Sequence, residues 1–330
     1  MTRFAENSRR ATDHRTALKL LQETAAESGY QIRDIEAIDV KKQWPERRMT
    51  VRYDIQGSDA EGRSIDTVYG KLYRGSRGAR SAATLAWLHT HCPSAIRVPR
   101  LLGYHERRRF LLMTAVPGRS LMELMERNPT AVEAHVARVG TALAEFQRLE
   151  TPGLEVHDSL AELRVLASAR ARVAEGDLPL RLVEEFDGLC RMVGHALSRV
   201  QSGAARRLLH RDLHPAQILP FDGGMGLIDL DDLAMGEAEL DLGNLSAHFY
   251  LFERQRDGAS PSAKNLTAIL VAHFSAIQPM VPERLTAYQA ASLLRLSSLE
   301  RLAAADAHDR PWPEQVAGLL SVVNRLLKNR

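Results

Sequence analysis

Between Leu209 and Leu219 the chain reads LHRDLHPAQIL, and Gly226 to Asp232 reads GLIDLDD. Both stretches set carboxylates or imidazoles beside short apolar runs, where such groups lower strand propensity and make poor core. Their concentration points to chemistry. Asp212 offers a carboxylate able to orient a hydroxyl, and Gln217, five residues on, offers an amide oxygen to a metal. Asp229 ends the second apolar run as a hard anionic ligand suited to magnesium, with Asp231 and Asp232 after it. Phosphoryl transfer uses this set of parts, together with a cation on the nucleotide phosphates. Lys71, alone at the centre of TVYGKLYR, is the candidate cation. The alternating His210-x-Asp212-x-His214 spacing also permits a metal-dependent hydrolase, with these three and Asp229 around zinc or manganese. That alternative leaves Lys71 without a task.

The elements that must position these residues fall into two regimes. From Gly29 to Val116 the sequence favours strands separated by turns. Met49–Ile55 and Thr67–Arg74 flank the turn-rich GSDAEGRS and read as a hairpin. Val98–Glu106 and Arg108–Val116 read as further strands, with ERRR at 106–109 as a solvated turn. Ala79–His91 has helical spacing, and an opening helix is expected over Thr12–Gly29. After a Pro-Gly hinge near residue 117 the pattern turns helical, with candidates Leu121–Arg127, Ala131–Leu149, Leu160–Ala174 and Pro179–Gln201. Asp241–Gln255, Ala263–Ile277, Pro282–Ala307 and Pro313–Lys328 complete the series. The only strands expected in this half lie around Leu208–Leu230. Asp306, His308 and Asp309 read as a solvated turn.

The predicted architecture is α+β and bilobal: a small β-rich N-terminal nucleotide-binding lobe over 1–117, and a large helical C-terminal lobe over 118–330 carrying the catalytic loop and acceptor site. Lys71 is expected to face the cleft between them, where a nucleotide is held away from water.

Composition narrows the class. At 330 residues, 45% hydrophobic and 26% charged, the chain is long enough for one large or two modest globular domains. A net charge of +3, with no basic run interleaved with aromatics, argues against nucleic acid as partner. Cys92 and Cys190 are too few for a disulfide framework or a zinc site. The N-terminus lacks the apolar segment of a secretory signal, and no run approaches the ~20 residues that span a bilayer. The expectation is a cytoplasmic protein, monomer or homodimer, without membrane or nucleic-acid partners.

His210-x-Asp212-x-His214-Pro215-x-x-Ile218-Leu219, then Ile228-Asp229-Leu230-Asp231 and Gly236…Asp241-Leu242, resembles the aminoglycoside phosphotransferase and choline kinase-like family. That resemblance covers the chain from about residue 30 to the last helices and implies a protein-kinase-like fold. It implies ATP and Mg²⁺ as cofactors and a hydroxylated small molecule as acceptor. It further implies Asp212 as catalytic base, Gln217 and Asp229 as metal ligands, and Lys71 on the α/β-phosphates. Met113, Thr114, Ala115 and Val116 would lend backbone groups to an adenine ring, while His210 and His214 brace the loop and Asp231 supports the site. A nucleotide-binding module of the same fold with a regulatory role is the alternative reading.

Three positions depart from the family pattern. Gln217 stands where Asn is usual, and Ala79–His91 carries no acid to pair with Lys71, Ser81 or Ala82 falling near that place. KKQWPERR (Lys41–Arg48) fills the turn where kinases carry glycines. Arg211 spells His-Arg-Asp as protein kinases do, but the few residues between Asp232 and the next helix leave no room for a peptide platform. Nothing in the sequence selects an amino sugar over a sugar or an amino alcohol as acceptor.

Overall fold

The computed structural model describes residues 2–129, 131–151, 153–200, 205–256, 261–299 and 312–328. It divides into two compact units. The first comprises Met1–Cys92, Arg97–Pro117 and Gly226–Asp231; the second comprises Pro93–Ile96, Gly118–Met225 and Asp232–Arg330. The main division falls between Pro117 and Gly118. Gly226–Asp231, expected within the 118–330 lobe, instead belongs with the first unit, because side chains of that unit bind its two aspartates.

The first unit is built on an antiparallel sheet of β1 (Gln31–Trp44), β2 (Arg48–Ser58), β3 (Ser64–Tyr73), β5 (Leu101–His105) and β6 (Phe110–Thr114), in the order β1-β2-β3-β6-β5. β2 alternates half-buried and buried residues almost without exception, the period of a strand with one face on a core. That face carries Met49, Val51 and Tyr53, joined by Val68 and Leu72 of β3 and Phe110 and Leu112 of β6. It packs against α1 (Arg3–Thr12) and α2 (His14–Ala25) through Ala11, Leu20 and Leu21. Gly70 sits on the same face. A Cβ there would meet the Phe110 ring at 2.3 Å and the Tyr53 ring at 2.9 Å.

The helix expected over Thr12–Gly29 is α2, and α1, which precedes it, was not expected. The Asp13 N–H closes the first helix on the Arg9 carbonyl, and its carboxylate accepts the Thr16 N–H to start the second. Lys71 lies on the opposite face of the sheet, the face that also meets α3 (Arg77–His91). Lys71 pairs across the ladder with Leu111, and Tyr69 with Met113, so all four side chains share that face.

The second unit is helical: α4 (Leu121–Arg127), α5 (Val132–Gln147), α6 (Ser159–Ala174), α7 (Leu180–Arg199), α8 (Glu239–Arg254), α9 (Ala263–Ser275), α10 (Pro282–Ser297) and α11 (Trp312–Lys328). Its core runs through Phe186, Val193, Tyr288, Leu294, Val316 and Leu320. The helix expected over Pro282–Ala307 is described as far as Ser297. Asp306, His308 and Asp309 lie outside the described residues. Short strands carry the loops that matter here. β7 (Arg207–Leu209) pairs antiparallel with β10 (Ala234–Gly236), and β8 (Ile218–Phe221) follows a 3-10 turn at Pro215–Gln217. β10 extends the expected run of strands beyond Leu230.

Candidate active site

In the second unit, β7 delivers the chain into the loop His210–Gln217. Leu208 and Leu209 are fully buried and anchor its start. The loop then turns sharply, with Arg211 in the left-handed region at φ 71°. A β-carbon makes that conformation costly, and it persists where the surroundings over-determine it. The over-determining group is Asp241 on α8, fully buried, whose Oδ2 accepts the His210 N–H and Oδ1 the Arg211 N–H, each at 2.8 Å. Gln147 Nε2 donates to the same carboxylate at 3.1 Å. Burial pushes the Asp241 carboxyl up from its ordinary range, opposed by the His210 ring and the two backbone N–H groups.

Asp212 follows the strained residue, its side chain less than half exposed. Arg295 of α10 approaches its Oδ1 to 3.6 Å. Arg295 is itself held by the Asn244 side-chain oxygen at 2.6 Å, and Asn244 donates to the Leu213 carbonyl at 3.1 Å. His214 lies against His248, ring centroids 5.1 Å apart. Gln217 ends the loop buried, and among the described residues its Oε1 has no hydrogen-bond partner. A buried carbonyl oxygen left unpaired costs about 1–3 kcal/mol, so a ligand that uses it recovers that loss.

In the first unit a second set converges. Lys71 is buried and donates from Nζ to Asp229 Oδ1 at 2.7 Å and to Asp231 Oδ2 at 3.0 Å. Arg48 donates to Asp231 Oδ2 at 2.9 Å and comes within 3.8 Å of Asp229. Tyr73 donates its hydroxyl to Asp231 Oδ1 at 2.8 Å. Burial opposes the charge on Lys71, but the carboxylates of Asp231 and Asp229 outweigh it and raise the ammonium above its ordinary value. Burial likewise opposes ionisation of Asp231, and Lys71 reverses this and holds the carboxyl low in spite of Asp229. Asp229 is the second site residue with a strained backbone, at φ 58°. A small cavity beside the cluster is lined by Lys71, Ser81, Leu85, Met113, Asp229 and Asp231.

Of the residues expected to bind adenine, Met113 and Thr114 lie inside the β6 ladder, and Thr114 commits its N–H to the Arg100 carbonyl at 3.0 Å. Ala115 and Val116 lie past the end of the strand and make no hydrogen bond among the described residues.

Each unit carries an oxygen of the kind magnesium takes: in the first the partly exposed Asp229 carboxylate, in the second the orphaned Gln217 amide oxygen. No three His, Cys, Asp or Glu side chains among the described residues come together as a metal set.

Sequence reasoning singled out Lys71, Asp229 and Asp231, and the structure brings them together. It passed over Arg48, Tyr73 and Arg295 and gave Asp241 no role. Two of these were within reach, because Tyr73 follows Lys71 by two residues and Arg48 stands opposite Tyr73 in the hairpin register. Arg295 carries no local signal, and Asp241 was read only as part of the family pattern.

The fold is kinase-like. The chain belongs to the phosphotransferase enzyme family, whose model matches residues 62–263. Among solved structures it is similar to a choline/ethanolamine kinase family protein from Mesorhizobium loti, at 14% identity and a TM-score of 0.60 over 94% of each chain. It is similar to an amicoumacin kinase in complex with AMP-PNP, Ca²⁺ and Ami, at 13% identity and a TM-score of 0.62 over 98% of this chain and 96% of that one. A macrolide 2'-phosphotransferase from Brachybacterium faecium aligns at 18% identity and a TM-score of 0.54 over 92% and 97%. No curated protein matches the sequence. No described helix is long and apolar enough to cross a membrane.

Proposed function

We propose that the protein is an ATP- and magnesium-dependent phosphotransferase that moves the γ-phosphate to a hydroxyl of a small molecule. The observation that carries this reading is the contact of Lys71 with Asp229 at 2.7 Å, across 158 residues of sequence. It sets a sheet-borne cation beside a carboxylate on a strained turn, the two charges that phosphates and their metal require.

Lys71 binds the α/β-phosphates as a point charge. Ala115 and Val116 offer the backbone groups that an adenine edge needs. Asp229 and Gln217 would hold the magnesium, which would supply neutralisation of charge on the phosphate oxygens. Asp212 orients the acceptor hydroxyl and takes its proton as the oxygen attacks, so the base must stand at a fixed angle; Asp241 provides that by clamping the two residues before it.

Magnesium-ATP is expected to raise the melting temperature by mass action on the folded state. Acceptors are then screened by ATP consumption and by a product heavier by one phosphate. The panel takes choline, macrolide and amicoumacin from the names of the structural relatives, with sugars and amino alcohols added. No thermal shift at millimolar nucleotide, with or without metal, would sink the reading. Binding without turnover on any acceptor would favour the regulatory module.

A further inference from the structure

A buried lysine needs an anionic partner that holds it in one place, since an uncompensated buried charge is strongly destabilising. Helix α3 provides none. It contains no Asp or Glu, and the residues it contributes to the cavity beside Lys71 are Ser81 and Leu85. Lys71 divides its ammonium between Asp229 and Asp231 instead, and these two carboxylates differ in what else they do.

Asp229 is about a quarter exposed. Asp231 is 5% exposed, and both its oxygens are engaged by the sheet: Oδ2 by Lys71 and Arg48, Oδ1 by Tyr73. Arg48 is backed in turn by the Trp44 ring, 4.2 Å from its guanidinium carbon. Ser81 of α3 lines the same small cavity as Lys71 and Asp231. A carboxylate that already accepts from three protein donors is a poor metal ligand and a good anchor. The partly exposed one is the better ligand.

We propose that Asp231 is the positioning residue of Lys71, taking the place of an acid on α3. The proposal rests on the phosphotransferase reading above. Its physical content is a division of labour between two acids on one turn. Asp229, the more exposed acid, would be the one to face a metal, while Asp231 would keep the ammonium in register. The segment Lys41–Arg48, which ends β1 and opens β2, contributes by setting Arg48 on the anchor with Trp44 behind it, so two departures from the family pattern belong to one device.

The test measures the dissociation constant of a non-hydrolysable ATP analogue, with and without magnesium, for the native protein and for Asp231→Asn, Lys71→Ala and their combination. Melting temperature is recorded for each. Asp231→Asn is expected to weaken the analogue about 10-fold or more, the scale of one charge-assisted contact, and to raise the magnesium concentration required. In the Lys71→Ala background it should weaken binding no further, because an anchor without its lysine has nothing to position. Ser81→Glu added to Asp231→Asn should restore part of the affinity.

If Asp231→Asn does not fold, Tyr73→Phe carries the test, with an expected loss of about 2–5-fold, a fraction of the full contact. Analogue affinity within twofold of native in a folded Asp231→Asn variant, or in Tyr73→Phe where that variant is used, overturns the proposal. So do equal losses with and without Lys71, which a merely structural Asp231 would produce. Failure of the native protein to bind the analogue overturns the phosphotransferase reading itself.

Discussion

Asp241 accepts the backbone N–H of Arg211 at 2.8 Å and so holds a non-glycine residue at φ 71° one position before Asp212. The carboxylate serves two adjacent N–H groups with two oxygens, which an amide cannot do. Asp241→Asn turns one of those oxygens into a donor facing a donor. Loss of about 2–4 kcal/mol is expected, because a buried backbone N–H and an amide are left unpaired together. Urea titration checks this. The strain itself is checked at Arg211: Arg211→Gly should fold as stably as the native protein, since glycine adopts this region freely. Arg211→Val should lose about 1–2 kcal/mol, a branched β-carbon being the worst case there. Equal stability of the two variants would contradict the strain assignment.

Asp212 and Arg295 predict kinetics. As acceptor base, Asp212→Asn should cost about 10²–10⁴ in turnover and leave nucleotide affinity nearly intact. Loss of nucleotide binding would make Asp212 a metal ligand instead. An acceptor approaching Asp212 also meets the Arg295 guanidinium, 3.6 Å from the carboxylate. Arg295→Ala removes a positive charge from that approach. The ratio of kcat/KM for a cationic over a neutral acceptor should then rise about 10-fold, the sign set by relief of like-charge repulsion. An unchanged ratio would place Arg295 outside acceptor recognition.

Gln217 is tested against its shorter homologue. Its orphaned Oε1 sits at the end of a 3-10 turn that fixes its backbone, so reach is set by the side chain alone. Gln217→Asn withdraws the oxygen by one carbon–carbon bond, and Gln217→Ala removes it. Turnover is expected to fall in that order, with the magnesium requirement rising in step, as octahedral coordination tolerates little displacement. An Asn variant more active than the native protein would show an eroded site and not an adapted one.

Much of this was legible in the sequence, for reasons that differ by element. The β2–β3 hairpin and most helices follow from period and turn chemistry, which are local. The block from His210 to Asp229 was legible because charged residues beside apolar runs conflict with core formation. Long-range pairing was not. Helix α1, ahead of the expected Thr12–Gly29 helix, was not read, although the Asp13 that closes it also caps α2. Gly226–Asp231 follows the second unit in sequence but packs with the first, because Arg48, Lys71 and Tyr73 claim its acids. Asp241 carries no signal of its buried role, since the groups it satisfies are backbone N–H groups 30 and 31 residues away.

His248 makes stability depend on pH. Its Nε2 is sealed from water without a hydrogen-bond partner among the described residues. Burial, followed by the neighbouring His214 and Arg295, pushes the imidazole well below its ordinary value of 6.5. The folded protein therefore holds His248 neutral at a pH where the unfolded chain protonates it. Below about 6.5 the unfolded state binds more protons than the folded one, so stability falls as pH falls and levels off above that value. Acidification from pH 7.5 to 5.5 should lower the urea midpoint of the native protein. His248→Phe keeps the ring volume and removes the titrating nitrogens, so its midpoint should change less over the same interval. The difference between the two slopes isolates His248, because carboxylates contribute equally to both proteins. Parallel slopes would mean that His248 finds a proton-stabilising partner and does not penalise the folded state.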